Sequence, residues 1–578
     1  MTSLGAELQK RATDWRDQDP DPETRAEIDQ LIAESAGPEL ADRFGPELEF
    51  GTAGLRGAVG AGPSRMNCAV VVRAARALAE HWLAVSDAAR RGVIVGYDAR
   101  TSSRALAEAA AGVFLAAGVS VRWFEAPVPT PLVAYAARVL DAAGAVVITA
   151  SHNPREDNGL KAYDGHALQL SSPDDADVAC RRAALPGARS IPCASLVPAP
   201  PGLSVLGREL EERYLDDLEE ILPEKTPAPS LRVAYSPLHG VGLSLVQRAF
   251  GRRGGIALDV VAEQAVPDGR FPTTPKPNPE EAGTMDRVLA LGRHVGADLI
   301  VANDPDADRL AAAVPGPGGA RQLTGNELGV LLADFVLSRA PAEPPPLLVT
   351  TVVSTPLLAA VARSHGASCE RTLTGFKWIW LAARALESES GVRFAFGCEE
   401  ALGYSIGHLV RDKDGIAAAT WLAELARLEK SHGSTLLVRL DRLYRTHGAW
   451  ASLQRSLVRP GQAGTREIAL MVERLGADPP QALAGFRRAR VVDYRRDAES
   501  RPRWLGGAQL LELELEPSIR VLVRPSGTEP KLKIYADAGE PCAGAEAPSL
   551  ALERARERAS RVIDEMVRFL EASVSASR

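Results

Sequence analysis

Cysteine is scarce and scattered in this chain of 578 residues. Its six (Cys68, Cys180, Cys193, Cys369, Cys398 and Cys542) form no C-x-x-C pair and no zinc-ligand spacing. That excludes a disulfide scaffold and fits a reducing compartment. Positive charge is not in excess either: 67 Lys and Arg against 74 Asp and Glu leave a formal charge of −7, no electrostatic basis for gripping nucleic acid or an anionic membrane. No run approaches the ~18 uncharged apolar residues that a bilayer-spanning helix needs. The first residues, Met1 to Pro20, lack the apolar core of a signal peptide. The phosphate loop G-x-x-x-x-G-K-[ST] is absent, which argues against nucleotide hydrolysis of that type. What is present is ordinary: 46% hydrophobic and 24% charged residues, in a length that suits about four domains. The expectation is a cytoplasmic, multidomain, soluble protein with no nucleic-acid or membrane partner.

Residues 1–45 read as two polar helices broken by Asp19-Pro20-Asp21-Pro22. After them one unit recurs: a short apolar strand, a loop of small polar residues, and a helical stretch. Strands at 93–97, 145–148, 231–235, 298–302 and 347–351 lead into Asp98-Ala99-Arg100, Thr149-Ala150-Ser151-His152-Asn153-Pro154, Ser236-Pro237-Leu238-His239-Gly240, Asn303-Asp304-Pro305-Asp306-Ala307-Asp308-Arg309, and Val352-Val353-Ser354-Thr355-Pro356. Alternating strands and helices predict α/β domains with largely parallel sheets, whose ligands sit at the carboxyl ends of strands. Joints are expected at Thr226-Pro227-Ala228-Pro229, at the proline-rich 341–346 and near Arg459-Pro460-Gly461. Strands at 519–523 and 532–535, then a helix apolar at Leu552, Ala555, Ala559, Val562 and Met566, predict a small closing α+β segment with antiparallel strands.

The sharpest chemical signal is Asp304-Pro305-Asp306-Ala307-Asp308-Arg309. Three carboxylates at alternate positions repel one another unless a cation sits among them, and all-oxygen ligation suits Mg²⁺. An acidic solvated loop is the bland alternative. A calcium EF-hand fails, because its required Gly and Glu positions hold Arg309 and Pro315. A phosphatase using Asp304 as nucleophile stays open on this segment alone, although Asp308 stands where that motif has Thr or Val. At Thr149–Pro154, a Ser hydroxyl in a tight loop can be a nucleophile or carry a phosphoryl group, or can simply stabilise a turn. Lys161 in Asn158-Gly159-Leu160-Lys161 is either close to that loop or an ordinary surface lysine. Arg524-Pro525-Ser526-Gly527-Thr528 offers planar donors, hydroxyls and backbone N–H groups for a phosphate, or a turn between strands. Gly397-Cys398-Glu399-Glu400-Ala401-Leu402-Gly403 could accept hydrogen bonds from sugar hydroxyls, or be a solvated turn. Gly403-Tyr404-Ser405-Ile406-Gly407 matches the hydrolase nucleophile elbow but lacks its strand-to-helix context.

In their order along the chain these segments, with Phe50-Gly51-Thr52-Ala53-Gly54-Leu55-Arg56-Gly57, resemble the α-D-phosphohexomutase superfamily, closest to its phosphoglucomutase/phosphopentomutase-like branch. The resemblance runs from about residue 45 to the C-terminus. It implies an α/β protein: three similar α/β domains with mixed, mostly parallel sheets plus a C-terminal α+β domain, around a central cleft. The corresponding expectation is a helical extension at 1–45, domain I at 46–225 (phosphoserine loop), domain II at 226–340 (metal loop), domain III at 341–458 (sugar loop) and domain IV at 459–578 (phosphate loop).

Residue by residue, the resemblance implies that Ser151 is the phosphorylated nucleophile. Asp304, Asp306 and Asp308, with a phosphoserine oxygen of Ser151, would hold Mg²⁺. Lys161 and Lys413 would move protons, and His152 and Arg56 would border the reacting phosphoryl group. Arg309, Thr374, Gly375 and Glu399 would contact the sugar, and Arg524, Ser526, Gly527 and Thr528 the phosphate that does not react. The implied activity is a mutase interconverting sugar 1- and 6-phosphates, glucose above all, through a bisphosphate intermediate, with glucose 1,6-bisphosphate as primer and a monomer or homodimer as the working state. Mannose and pentose phosphates and a sugar-phosphate phosphatase are the alternatives. A lysine acting as base would need its pKa well below about 10.4. Two departures stand out. Ala401 lies where many members have Ser, and Pro305 and Ala307 where many have Gly.

Overall fold

The computed structural model describes residues 3–34, 37–51, 54–225, 229–316, 318–526 and 531–575. It divides into two compact units, Met1–Gln322 with Gly403–Glu424, and Leu323–Leu402 with Leu425–Arg578.

The first unit opens with three helices, Ser3–Gln18, Pro22–Ala33 and Gly37–Arg43, one more than the sequence pattern suggests. The expected break is there. Asp21 caps the second helix by accepting from the Glu23 N–H, and Pro22 takes the first helical position. Ala12, Ile28, Leu40 and Phe44 bury one face of each helix against Ala61.

Two sheets follow. The first comprises β1 (Leu55–Ala58), β2 (Val93–Tyr97), β3 (Val121–Phe124), β4 (Gly144–Ile148), β5 (Asp157–Tyr163) and β6 (Leu203–Leu206), in the order β1-β5-β4-β2-β3-β6. β4, β2, β3 and β6 run parallel; β5 and β1 return antiparallel. Every residue of β2 and β4 is buried, which is why both read as unbroken apolar runs. β4 packs so closely on the helix Cys68–Val85 that a Cβ on Gly144 would lie 2.3 Å from the Trp82 ring. Gly144→Ala is expected to cost about 2 kcal/mol by overpacking, read as a lower urea midpoint at unchanged slope.

The second sheet comprises β7 (Leu231–Ser236), β8 (Ile256–Val260), β9 (Leu299–Asn303), β10 (Leu310–Val314) and β11 (Arg321–Gln322), in the order β11-β10-β9-β7-β8. β9, β7 and β8 are parallel, while β10 folds back antiparallel on β9 with Leu310 opposite Asn303. Residues 304–309 are therefore the connection of a hairpin. Its Ala307 is left-handed at φ 56°, a conformation that glycine adopts at less cost.

In the second unit, β12 (Pro346–Thr351), β13 (Ser368–Thr372) and β14 (Arg393–Glu399) form the parallel order β13-β12-β14. The helix Gly325–Leu337, held by a Thr324/Glu327 capping box, lies in this unit, ahead of the proline-rich 341–346 where the sequence suggests a joint. The closing segment is antiparallel throughout. Its strands Ala449–Val458, Lys531–Glu540, Ile519–Pro525, Leu511–Leu515, Phe486–Asp493 and Ala482–Leu483 adjoin in that order, and the helix Pro548–Ser575 buries Ala559, Val562, Met566 and Leu570 against them. Among the described residues no helix is long and apolar enough to cross a membrane.

Candidate active site

The carboxyl ends of β4 and β9 supply the two loops that meet. Ser151, in the loop after β4, is buried and left-handed at φ 52°. Its Oγ donates to Asp304 Oδ2 at 2.7 Å and lies 3.2 Å from His152 Nδ1. One ligand oxygen from each of Asp304, Asp306 and Asp308 lies within 4.8 Å of the others, and all three residues are at most 1% exposed. This is a buried cluster, not a solvated acidic turn.

Lys161 is no surface lysine. It sits on β5, opposite Val147, and its ammonium donates to Asp306 Oδ2 and Asp308 Oδ2, each at 2.7 Å. Lys413 Nζ lies 3.3 Å from Asp308 Oδ2. The segment carrying Lys413 seats directly on the acidic loop. Gly403 pairs with Arg309, and a Cβ on Gly415 would lie 2.3 Å from the Arg309 carbonyl oxygen. Asp412, accepting from Tyr163 and Gln169, and Asp414, accepting from Tyr214, anchor it on either side. Arg56, on β1 opposite Gly159, donates to Asn153 Oδ1 at 3.3 Å, and Arg309 N donates to Asp304 Oδ1 at 2.9 Å.

The first unit thus brings together Arg56, Ser151, His152, Lys161, Asp304, Asp306, Asp308, Arg309 and Lys413. Thr374, Gly375, Glu399, Arg524 and Ser526 lie in the second unit. There Gly375 is left-handed at φ 120° at the start of the helix Phe376–Ser390, Glu399 ends β14 and is 7% exposed, and the Ser526 N–H donates to the Lys531 carbonyl. Gly527 and Thr528, like Thr52 and Ala53, lie outside the described residues. Ser405 is on the strand Gly403–Ile406 and donates to the Val410 carbonyl, so no nucleophile elbow exists there.

Thr130 belongs to none of the motifs above. Its hydroxyl donates to Asp306 Oδ2 at 2.6 Å and its N–H to the Asp306 carbonyl at 2.9 Å. The only sequence signal is a threonine between Pro129 and Pro131 at a helix start.

Burial, then the charges of Asp308 and Asp306, push the Asp304 carboxyl well above the usual carboxylate range, as its hydrogen bond from Ser151 only partly offsets them. Burial acts on Asp308 as well, but Lys161, Lys413 and Arg309 outweigh it and hold that carboxyl far below its ordinary value. Burial and Asp308 likewise oppose ionisation of Asp306, and Lys161 and Thr130 prevail. Burial disfavours the Lys161 charge, yet Asp306 and Asp308 raise its pKa above the usual lysine value. Held this way Lys161 is an ammonium, the opposite of the depressed lysine expected of a base. Burial, reinforced by Arg309 and Arg56, drives His152 well below the ordinary histidine value, so its ring is neutral at neutral pH.

The donor set fits a hard divalent cation. Among the described residues Asp306 Oδ1 and Asp308 Oδ1 are buried without a hydrogen-bond partner, a costly arrangement for charged oxygens unless a ligand satisfies them.

Asp414 supplies a pH-dependent feature of this framework. Burial pushes its carboxyl up to about 6, although Tyr214 and the N–H groups of Ile416 and Ala417 donate to it. The folded state therefore holds a proton that the unfolded chain releases near pH 4, and stability rises as pH falls from about 6 to about 4. The span is about 3 kcal/mol at 1.36 per unit. Thermal midpoints of Asp414→Asn across this window should lose that slope.

Comparison with known proteins places this geometry. Models of the phosphoglucomutase/phosphomannomutase alpha/beta/alpha domains I, II and III match residues 47–183, 212–318 and 324–444. A Haemophilus influenzae protein named "Probable phosphomannomutase" is 36% identical over 82% of this chain and 93% of its own. The mouse "Phosphopentomutase" is 32% identical, covering 92% and 90%. The human "Glucose 1,6-bisphosphate synthase" is 33% identical, covering 97% and 94%. A solved phosphoglucomutase/phosphomannomutase family protein from Burkholderia thailandensis shares the fold, with a TM-score of 0.67 at 21% identity over 90% of this chain and 97% of that one. The chain belongs to the phosphoglucomutase/phosphomannomutase family within the α-D-phosphohexomutase superfamily, and is an isomerase of the phosphosugar-mutase type.

Proposed function

We propose that the protein interconverts glucose 1-phosphate and glucose 6-phosphate through a phosphorylated Ser151 and a glucose 1,6-bisphosphate intermediate, which also serves as primer. The observation that carries this reading is the Ser151 hydroxyl, 2.7 Å from Asp304 within the buried acidic cluster. Asp304, Asp306 and Asp308, with an oxygen of the phosphoserine, would hold Mg²⁺, which when bound draws negative charge from the phosphoryl oxygens.

In the forward half-reaction the Ser151 Oγ–P bond breaks as a bond forms from phosphorus to the free sugar hydroxyl, whose proton passes to a base. Ser151 Oγ leaves as an alkoxide and regains the phosphoryl group from the other end of the bisphosphate in the second half. Arg56 and the neutral His152 border the transferring group, one as a cation and the other as a hydrogen-bonding partner of Oγ. Lys161 enters as an ammonium and is placed to give a proton; Lys413 is the second proton carrier. Arg309, Thr374, Gly375 and Glu399 would contact the sugar, and Arg524, Ser526, Gly527 and Thr528 the resting phosphate.

A pentose or mannose phosphate is the second reading. The pentose is favoured by Ala401, which offers no hydroxyl to a hexose, and both are favoured by the names of the relatives. A phosphatase using Asp304 is disfavoured, because that carboxyl accepts the Ser151 hydrogen bond. Turnover of glucose 1-phosphate, mannose 1-phosphate and ribose 1-phosphate, side by side with a trace of glucose 1,6-bisphosphate, tests the choice. Glucose is expected to have the highest kcat/KM, and a tenfold preference for another sugar overturns it. Release of inorganic phosphate at the rate of turnover would instead support the phosphatase.

A further inference from the structure

Asp98-Ala99-Arg100, at the carboxyl end of β2, takes no part in the chemistry above, yet its arginine holds the Ser151 loop from beneath. Arg100 is 2% exposed in its side chain. Nη1 donates to the carbonyls of Pro154 at 2.7 Å and Asp157 at 2.8 Å. Nη2 donates to those of Ser151 and Asn153, each at 2.7 Å. Four carbonyl oxygens of one loop thus converge on one guanidinium. Asp98, fully buried, lies 3.3 Å from Nε and supplies the counter-charge. It also accepts from the Thr149 hydroxyl at 2.7 Å, whose oxygen in turn accepts the Ser151 N–H at 2.8 Å. Phe271 covers the guanidinium at 5.1 Å from its ring centroid, and Gly269 lies so close that a Cβ there would meet the Ala99 carbonyl at 2.4 Å.

We infer that Arg100, with Asp98 and Thr149, is a positioning residue that imposes the left-handed backbone of Ser151 and thereby aims its Oγ at the acidic cluster. The inference rests on the reading of Ser151 as the phosphoryl carrier. A non-glycine residue at φ 52° is strained by about 1–2 kcal/mol and persists only where its surroundings over-determine it. Charge-assisted bonds to its own carbonyl and to those of Asn153, Pro154 and Asp157, with the Thr149 hydroxyl on its N–H, do so. A planar fork with fixed donors can meet four carbonyls at once, whereas an ammonium offers three donors from a point. A nucleophile displaced by about 1 Å loses on the order of 10²-fold in rate.

The test uses the full chain and whichever sugar phosphate turns over fastest. Arg100→Lys is expected to lower kcat about 10²-fold, with KM within threefold and the thermal shift on adding Mg²⁺ retained, since Asp304, Asp306 and Asp308 are untouched. Arg100→Ala should regain about tenfold in kcat with millimolar guanidinium and nothing with ethylammonium. Thr149→Val, nearly isosteric, is the second variant if the arginine variants fail to fold, and should lose about tenfold in kcat at constant KM. The inference falls if Arg100→Lys keeps kcat within twofold, or if Thr149→Val does. It also falls if guanidinium restores nothing to folded Arg100→Ala. Ser151→Ala separates the two ideas: turnover surviving in that variant sinks the phosphoserine reading, whereas a dead Ser151→Ala beside an active Arg100→Lys sinks only the role of Arg100.

Discussion

Ser151→Ala loses phosphoryl transfer almost completely, with kcat expected to fall at least about 10⁴-fold, because the proposed reaction passes through the Ser151 hydroxyl in both half-reactions. Intact-mass spectrometry should show wild-type protein heavier by one phosphate, mapped to residue 151, and no such species in the variant. Stability should change little. The hydroxyl contributes one hydrogen bond to Asp304, worth about 1 kcal/mol, and alanine bears much the same strain at φ 52°. A variant that is well folded and inactive is therefore the expected result, and near-normal turnover would return the nucleophile role to Asp304.

Lys161→Met removes the ammonium that lies between Asp306 and Asp308. Breaking a buried ion pair by deleting one partner costs about 3–5 kcal/mol, because the remaining charge is left uncompensated. Lys413, 3.3 Å from Asp308, offsets part of this, so the lower end is expected in protein treated with a chelator. Millimolar Mg²⁺ should then recover more stability in the variant than in wild type, since it faces acids with fewer competing cations. Turnover should fall about 10²–10⁴-fold, the usual worth of a positioned proton carrier. Urea unfolding with and without Mg²⁺ measures the first effect. Equal midpoints for variant and wild type would show that the ammonium is not the counter-charge of this cluster.

The strand at 93–97 is legible because both its faces are buried and its run is unbroken by charge, and those at 231–236 and 346–351 because mostly buried residues, broken by the exposed Arg232 and ended by Thr350 and Thr351, still read as strands. β5 and β10 are not legible in the same way. Lys161 makes β5 look like a loop segment, although its charge is satisfied across the site, and the alanines of β10 carry little strand preference of their own. The third N-terminal helix is short, and tertiary burial of Leu40 rather than periodicity sustains it.

Local order along the chain was enough to determine the class of fold and to single out the loops of Ser151 and of Asp304 to Asp308, because strand-end loops and carboxylate spacing are written in consecutive residues. Only tertiary structure decided that Lys161 is a buried ammonium and not a surface charge, that Thr130 holds Asp306, and that Arg100 gathers four carbonyls beneath Ser151. Each of these is a contact between residues far apart in sequence, and its energy depends on burial and distance, which no local pattern encodes.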